Sequence, residues 1–133
     1  MVELVIETKR KREVVDITDE VNLELGKLDA KDGILNLFLA HTTAALTTAD
    51  LDPGGTDEDY LEAFEKLIPK INFRHPHNPT HMPDHILSSL VGTSLTIPFE
   101  AGKLILGTWQ RIVLIEFDGP RERRVVVSLS HNL

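Results

Sequence analysis

Apolar and polar positions change their period several times along the chain, and each change marks an element. Val2, Leu4 and Ile6 alternate with Glu3 and Glu7, and after Lys9-Arg10-Lys11-Arg12 the stretch Glu13 to Ile17 resumes a strand character. The spacing predicts two paired strands joined by a solvated basic turn. Thr18 is placed to cap a helix. Asp19 and Glu20 complement its N-terminal dipole, Val21, Leu25 and Leu28 share one side, and Asp29 to Gly33 ends it. Ile34 to Ala40 is almost continuously apolar, which fits a strand covered on both faces or lying at a subunit contact.

Beyond the Pro53-Gly54-Gly55 break, Thr56-Asp57-Glu58-Asp59 has the acceptor and acid placement of a helix start. Tyr60, Phe64, Leu67 and Ile68 follow at helical spacing until Pro69 closes the helix. A third helix is expected from near Pro83 to Gly92, with Ile86, Leu87 and Leu90 on one side and His85 in its first turn. From Thr93 the period returns to two. Strands are predicted over 94–99, over 103–117 with a bend at Gly107, and over 121–130, separated by turns at Glu100-Ala101-Gly102 and Asp118-Gly119-Pro120. Strands that follow one another without helices between them pair antiparallel, so the expected class is a single α+β domain of antiparallel β-sheets with about three helices. So few helices leave apolar sheet surface to be buried by association of subunits.

Composition narrows the functional classes. At 133 residues, with 41% apolar and 26% charged positions, the chain is the size of one ordinary globular domain. A formal net charge of −7 argues against a non-specific nucleic-acid binder, which neutralises phosphates with a surplus of lysine and arginine. The absence of cysteine removes thiolate chemistry and suits a reducing compartment, and no window approaches the roughly 20 apolar residues of a membrane span. A cytoplasmic protein with neither nucleic-acid nor membrane partner is the expectation.

The chemistry concentrates in one stretch. Residues 75–85 hold four of the six histidines, namely His75, His77, His81 and His85. Each neutral imidazole has one lone pair for a borderline metal and one N–H for a supporting partner. His41, followed by Thr42 and Thr43, stands at the end of a predicted strand. Pro83 sets the start of the third helix after His81, so the i, i+4 pair His81 and His85 need not share a helical face. His77 reads equally as a loop residue or a ligand, and His131 as incidental. Asp50 and Asp52 before Pro53 could bind a cation or orient a base, though turn chemistry accounts for them too. Arg121 and Arg123 share a strand face, a phosphate clamp or a solvated edge. Trp109 reads as core, and Gln110 as a mid-strand amide in need of partners.

Four segments in this order, His41-Thr42-Thr43-Ala44-Ala45, Met82-Pro83-Asp84-His85-Ile86-Leu87-Ser88-Ser89-Leu90, Gly92-Thr93-Ser94-Leu95-Thr96-Ile97-Pro98 and Gly102-Lys103-Leu104-Ile105-Leu106-Gly107-Thr108-Trp109-Gln110, resemble the YjbQ-like family, also called secondary thiamine-phosphate synthases. The resemblance spans nearly the whole chain. It implies a small antiparallel α+β subunit assembled as a homotrimer with a site at or near a subunit boundary. It also implies metal ligation by His41, by His75 in Phe73-Arg74-His75, and by His85. His77 and His81 are not family positions. The chain has Thr48-Ala49-Asp50 where the family usually carries Asn-Glu-Asn, and Thr80-His81 where an Asp-Asn step often precedes Met-Pro.

The implied reaction joins a pyrimidine-methyl diphosphate to a thiazole phosphate and releases pyrophosphate. A divalent metal would neutralise the departing diphosphate, with Thr42, Thr43, Arg121 and Arg123 on the phosphates of a small phosphorylated metabolite and Gln110 positioning it. Three histidines suit Zn²⁺ better than Mg²⁺, which prefers oxygen ligands. Two alternatives remain. One is a metal-dependent hydrolase of a small phosphorylated metabolite using Asp50 or Glu116 as base. The other is a non-catalytic trimeric metal- or metabolite-binding protein.

Overall fold

The structure, a computed structural model, describes residues 1–131. In chain order its elements are β1 (Val2–Glu7), β2 (Glu13–Asp16), α1 (Thr18–Lys27), β3 (Gly33–Leu39), β4 (Ala44–Asp50), α2 (Thr56–Leu67), α3 (Met82–Val91), β5 (Ser94–Glu100), β6 (Lys103–Leu104), β7 (Gln110–Glu116) and β8 (Glu122–His131), with a 3-10 turn Pro79–His81 before α3. The strands form two sheets, ordered β1-β8-β3-β5-β6 and β2-β7-β4, and every pairing is antiparallel. This is the α+β class expected.

The two sheets and the helices stack in layers. Leu35, Leu37 and Leu39 of β3, Val125 and Val127 of β8, and Leu4 and Ile6 of β1 point inward from the larger sheet onto Ile112 and Leu114 of β7, with Val21 and Leu25 of α1 closing that core. The alternate residues of β7, Val113 and Ile115, face the other way onto Leu87 of α3 and Phe64 of α2. A strand buried on both faces reads as a continuous apolar run, and Ile112 to Ile115 is one. α2 contributes only partly buried side chains to this second core, where the Phe64 ring meets Phe117 edge-on at 5.8 Å.

Several expectations are corrected by this layering. β1 and β2 do not pair. They join different sheets, so the basic stretch between them crosses from one layer to the other. It is not simply solvated either, because Lys11 and Arg12 hold the buried carboxylate of Asp84 at 3.2 and 2.9 Å. The predicted strand 103–117 is two strands in different sheets, with residues 105–109 as the crossing, and Trp109 is exposed there rather than core. β3 is covered on one face alone, leaving Ile34 and Phe38 exposed on the other. Thr18 is not the cap of α1 but lies inside its first turn, where Asp16 accepts from both its N–H and its hydroxyl.

Candidate functional site

A cleft of about 640 Å³ opens where four segments converge: the 40–43 connection between β3 and β4, the 75–85 stretch leading into α3, the 118–121 turn, and the start of β8. His41, Thr42, Thr43, His75, His81, His85, Asp118, Arg121, Glu122 and Arg123 line it. Antiparallel pairing brings them together. Ala44 of β4 lies opposite Glu116 of β7, so the residues just before β4 and just after β7 emerge at the same end of the smaller sheet.

The histidines are oriented by their backbone partners. His85, in the first turn of α3, places Nδ1 3.0 Å from the Thr42 carbonyl. A carbonyl only accepts, so Nδ1 carries the proton and Nε2 keeps a lone pair. His41 and His75 have the opposite arrangement. The Arg124 N–H donates to His41 Nε2 at 3.0 Å, and the Asn78 N–H donates to His75 Nδ1 at 3.2 Å. In the neutral rings the remaining nitrogens, Nδ1 of His41 and Nε2 of His75, must therefore be N–H donors. Burial, joined by the nearby Arg123 charge, lowers the His41 pKa below 6.5 and keeps that ring neutral at pH 7. The rings of His75 and His85 stack with centroids 5.2 Å apart and planes 13° from parallel.

A three-histidine metal centre asks each imidazole for a lone pair, with its other nitrogen donating to a support. His85 meets that requirement. His41 and His75 spend their lone pairs on backbone N–H groups, so the residues as arranged do not fit the expected zinc-type centre. Among the described residues no group of three or more His, Cys, Asp or Glu side chains is placed to hold a metal ion.

Beneath the cleft lies a buried ion pair. Arg123, 2% exposed, donates from Nε to Glu116 Oε1 at 2.9 Å and from Nη2 to Glu116 Oε2, and reaches the Thr43 hydroxyl at 2.8 Å. Burial alone would raise the Glu116 pKa. The bonds from Arg123, the Thr8 hydroxyl and the Asp118 N–H outweigh it and hold the carboxyl below its usual range. Glu116 is thus an ionised counter-charge with its lone pairs engaged, not an accessible base. Arg123 is likewise neither a free phosphate clamp nor a solvated edge. Asp118 receives Lys11 at 2.6 Å and Arg121 at 2.9 Å. Although burial opposes it, these cations depress its pKa to about 2.

Two expected site residues lie elsewhere. Asp50 pairs with Gln110 at the opposite end of β4, six residues and roughly 20 Å from Ala44 at the rise of an extended strand. They line a separate hollow with Tyr60 and Trp109, where Gln110 accepts from the Gly107 N–H at 2.7 Å and donates to Thr48 at 3.2 Å. Gln110 has the partners a strand amide needs, but they brace the 107–110 turn. His77 does not line the cleft, whereas His81 does, with Nε2 3.4 Å from the Asn78 side chain. Asn78, Asp118 and Glu122 were missed by residue-type reasoning. Asn78 had a readable signal, since Asn before Pro79 is a helix-cap pattern, and its Oδ1 accepts from the Thr80 N–H.

Comparison with known proteins follows the same span. The family model described as UPF0047 protein YjbQ-like matches residues 2–132. A UPF0047 protein of Archaeoglobus fulgidus is 41% identical over 126 residues, covering 94% of this chain and 97% of its own length. The UPF0047 protein YugU of Bacillus subtilis is 35% identical, with 95% and 96% covered. Among solved structures, a YbjQ-like protein of unknown function from Sulfolobus solfataricus superposes with a TM-score of 0.91 at 34% identity, covering 98% of this chain and 96% of that one. A relative of YugU from Clostridium acetobutylicum gives 0.88 at 35% identity, covering 98% and 100%.

Proposed function

The chain belongs to the UPF0047 YjbQ-like family, and from that premise we propose that its histidine cleft binds a small phosphorylated metabolite and hydrolyses the phosphate ester, with His85 as general base. The observation that carries this reading is the division of ring protons. His41 Nδ1–H and His75 Nε2–H are donors, suited to phosphate oxygens, while His85 Nε2 is the lone acceptor among the three, suited to taking a proton from an attacking water. The Thr42 hydroxyl and the exposed Arg121 guanidinium, which Asp118 holds at the rim, supply further donors. The Thr42 carbonyl fixes the base tautomer of His85 and supports positive charge on the ring once it is protonated.

Synthase-like transfer from a pyrimidine-methyl diphosphate to a thiazole phosphate is the second reading. The same donors would stabilise the departing pyrophosphate, but the attacking ring nitrogen carries no proton and leaves His85 without a role. Phosphate release from a panel of small phosphate monoesters decides between them. We expect turnover by the wild type, a fall in kcat of about 10²–10⁴ in His85→Gln with KM little changed, and a raised KM in Thr42→Ala. Pyrophosphate release from the paired diphosphate and thiazole phosphate, with no monoester hydrolysis, would replace this reading by the transferase. Stoichiometric zinc in purified protein, lost in His85→Ala, would overturn the metal-free assignment.

A further inference from the structure

On the far side of the 72–87 segment from the histidines lies a second, apolar cavity of about 530 Å³, with Ile68, Ile71, Phe73, Pro83 and Leu87 in its wall and Arg12 among its lining residues. The segment is two-sided. His75, His81 and His85 face the cleft, while Phe73, Pro83 and Leu87 face this cavity. Its volume is within the roughly 300–1,000 Å³ of small-molecule sites, and its walls have the apolar character of such sites.

Arg12 makes the cavity more than an apolar hollow. Its Nη2 donates to Asp84 Oδ1 at 2.9 Å, but Nη1 is buried and has no hydrogen-bond partner among the described residues. A buried donor left unpaired is costly, so an acceptor supplied by a ligand would satisfy it. The local charge has the same sense, because Glu65 and Lys70 in the lining offset one another and leave the ion pairs around Arg12 to set it. Arg12, Asp84, Lys11, Asp118 and Arg121 form one alternating chain of ion pairs, three cations to two carboxylates, with Arg12 at the end beside the cavity. The unbalanced charge of that chain favours an anionic acceptor over a neutral one.

We infer that this cavity is a binding site for a small monocarboxylate with an aliphatic or aromatic body, the body lying among Ile68, Ile71 and Phe73 and the carboxylate accepting from Arg12 Nη1. The site is separate from the phosphate cleft and does not depend on what that cleft does.

Isothermal titration calorimetry with decanoate tests the assignment on the full chain, with decan-1-ol and inorganic phosphate as comparators. Decanoate is expected to bind at one site, about tenfold more weakly to Arg12→Lys, which keeps the ion pair to Asp84 but loses the second nitrogen of the fork. Ile71→Asp, at a position 62% exposed and hence indifferent for folding, is expected to abolish binding. His85→Ala and added phosphate should leave it unchanged. Equal affinity for decan-1-ol, indifference to Arg12→Lys and Ile71→Asp, displacement by phosphate, or no decanoate binding at all would each overturn the proposal.

Discussion

At the residue scale the fold turns on one buried pair. Arg123 and Glu116 lie at 2% and 0% exposure on neighbouring strands of different sheets, and their hydrogen bonds reach Thr8 and Thr43 as well. Removing one partner leaves the other charge buried and uncompensated, so Glu116→Gln and Arg123→Met should each cost about 3–5 kcal/mol in urea unfolding. The double replacement by apolar residues of similar volume should cost less than either, because it removes both desolvated charges together. A cost for Glu116→Gln below about 1 kcal/mol would show that the pair is not isolated from water.

Acid lability has the same residue-level origin. Glu116 and Asp118 are both more acidic in the folded protein than their ordinary values of 4.5 and 3.8, Asp118 down to about 2. Groups with depressed folded values contribute stability that is complete above the unfolded values and drains away as pH falls through the folded ones. His41, lowered from 6.5, adds a loss on acidification below about pH 6.5, since the unfolded ring takes up a proton that the folded ring resists. Thermal unfolding followed from pH 7 to pH 2 should therefore fall in two stages, and His41→Gln should flatten the upper one. An unchanged upper stage in that variant would remove His41 as its cause.

At the element scale, periodicity was enough wherever a segment's own surface decides its form. The helices and the strand character of β1, β5 and β8 follow from spacing, because each turns one side to the core and the other toward solvent, whereas β3 reads as a strand from a nearly continuous apolar run although only one of its faces is covered. The pattern failed where partners in other layers decide. Nothing local distinguishes the β6-to-β7 crossing at residues 105–109 from a bent strand, and β4, with Ala44, Ala45 and Leu46 all buried, carries no clean alternation. Arg123 was misread for a related reason: alternation gives the face of a residue but not whether that face is wet. His41, His75 and His85 are grouped by the family resemblance of the residues that flank them, whereas their tautomers depend on the Arg124 N–H, the Asn78 N–H and the Thr42 carbonyl, groups that every residue has.

One close approach gives the element scale its own test. Gly33 opens β3 between β5 and β8, where an added Cβ would fall 2.2 Å from the Ser130 carbonyl oxygen and 2.9 Å from the ring of Phe99. Neither neighbour is free, since Ser130 is paired in the sheet and Phe99 is a buried core ring. Gly33→Ala should therefore destabilise the chain by roughly 1–3 kcal/mol through overpacking, visible as a lower urea midpoint with an unchanged slope. A neutral result would mean that the end of β8 shifts away at little cost.

At the scale of the whole molecule, the layers are closed on the helical side and open on the other. The outer face of the larger sheet carries Val5, Ile34 and Phe38 at 50%, 48% and 45% exposure, with Val126 opposite Phe38 in the register. Charged side chains interrupt that face toward β1, where Arg124 lies opposite Val5 and bonds Glu3 and Glu122. An apolar centre with a charged border is the composition of a surface that associates, and the central strand β3 supplies its two largest exposed side chains. We expect copies of the chain to bury this face, in the homotrimer that the family resemblance implies. Light scattering should then give three times the 14.9 kDa chain mass for the wild type and a single chain for Phe38→Lys, with circular dichroism unchanged because Phe38 points away from the core. A wild-type protein that stays monomeric at high concentration would mean that the face is tolerated in water. In that case the cleft, assembled wholly from one chain's 40–43, 75–85 and 118–123 segments, would have to act without a neighbour.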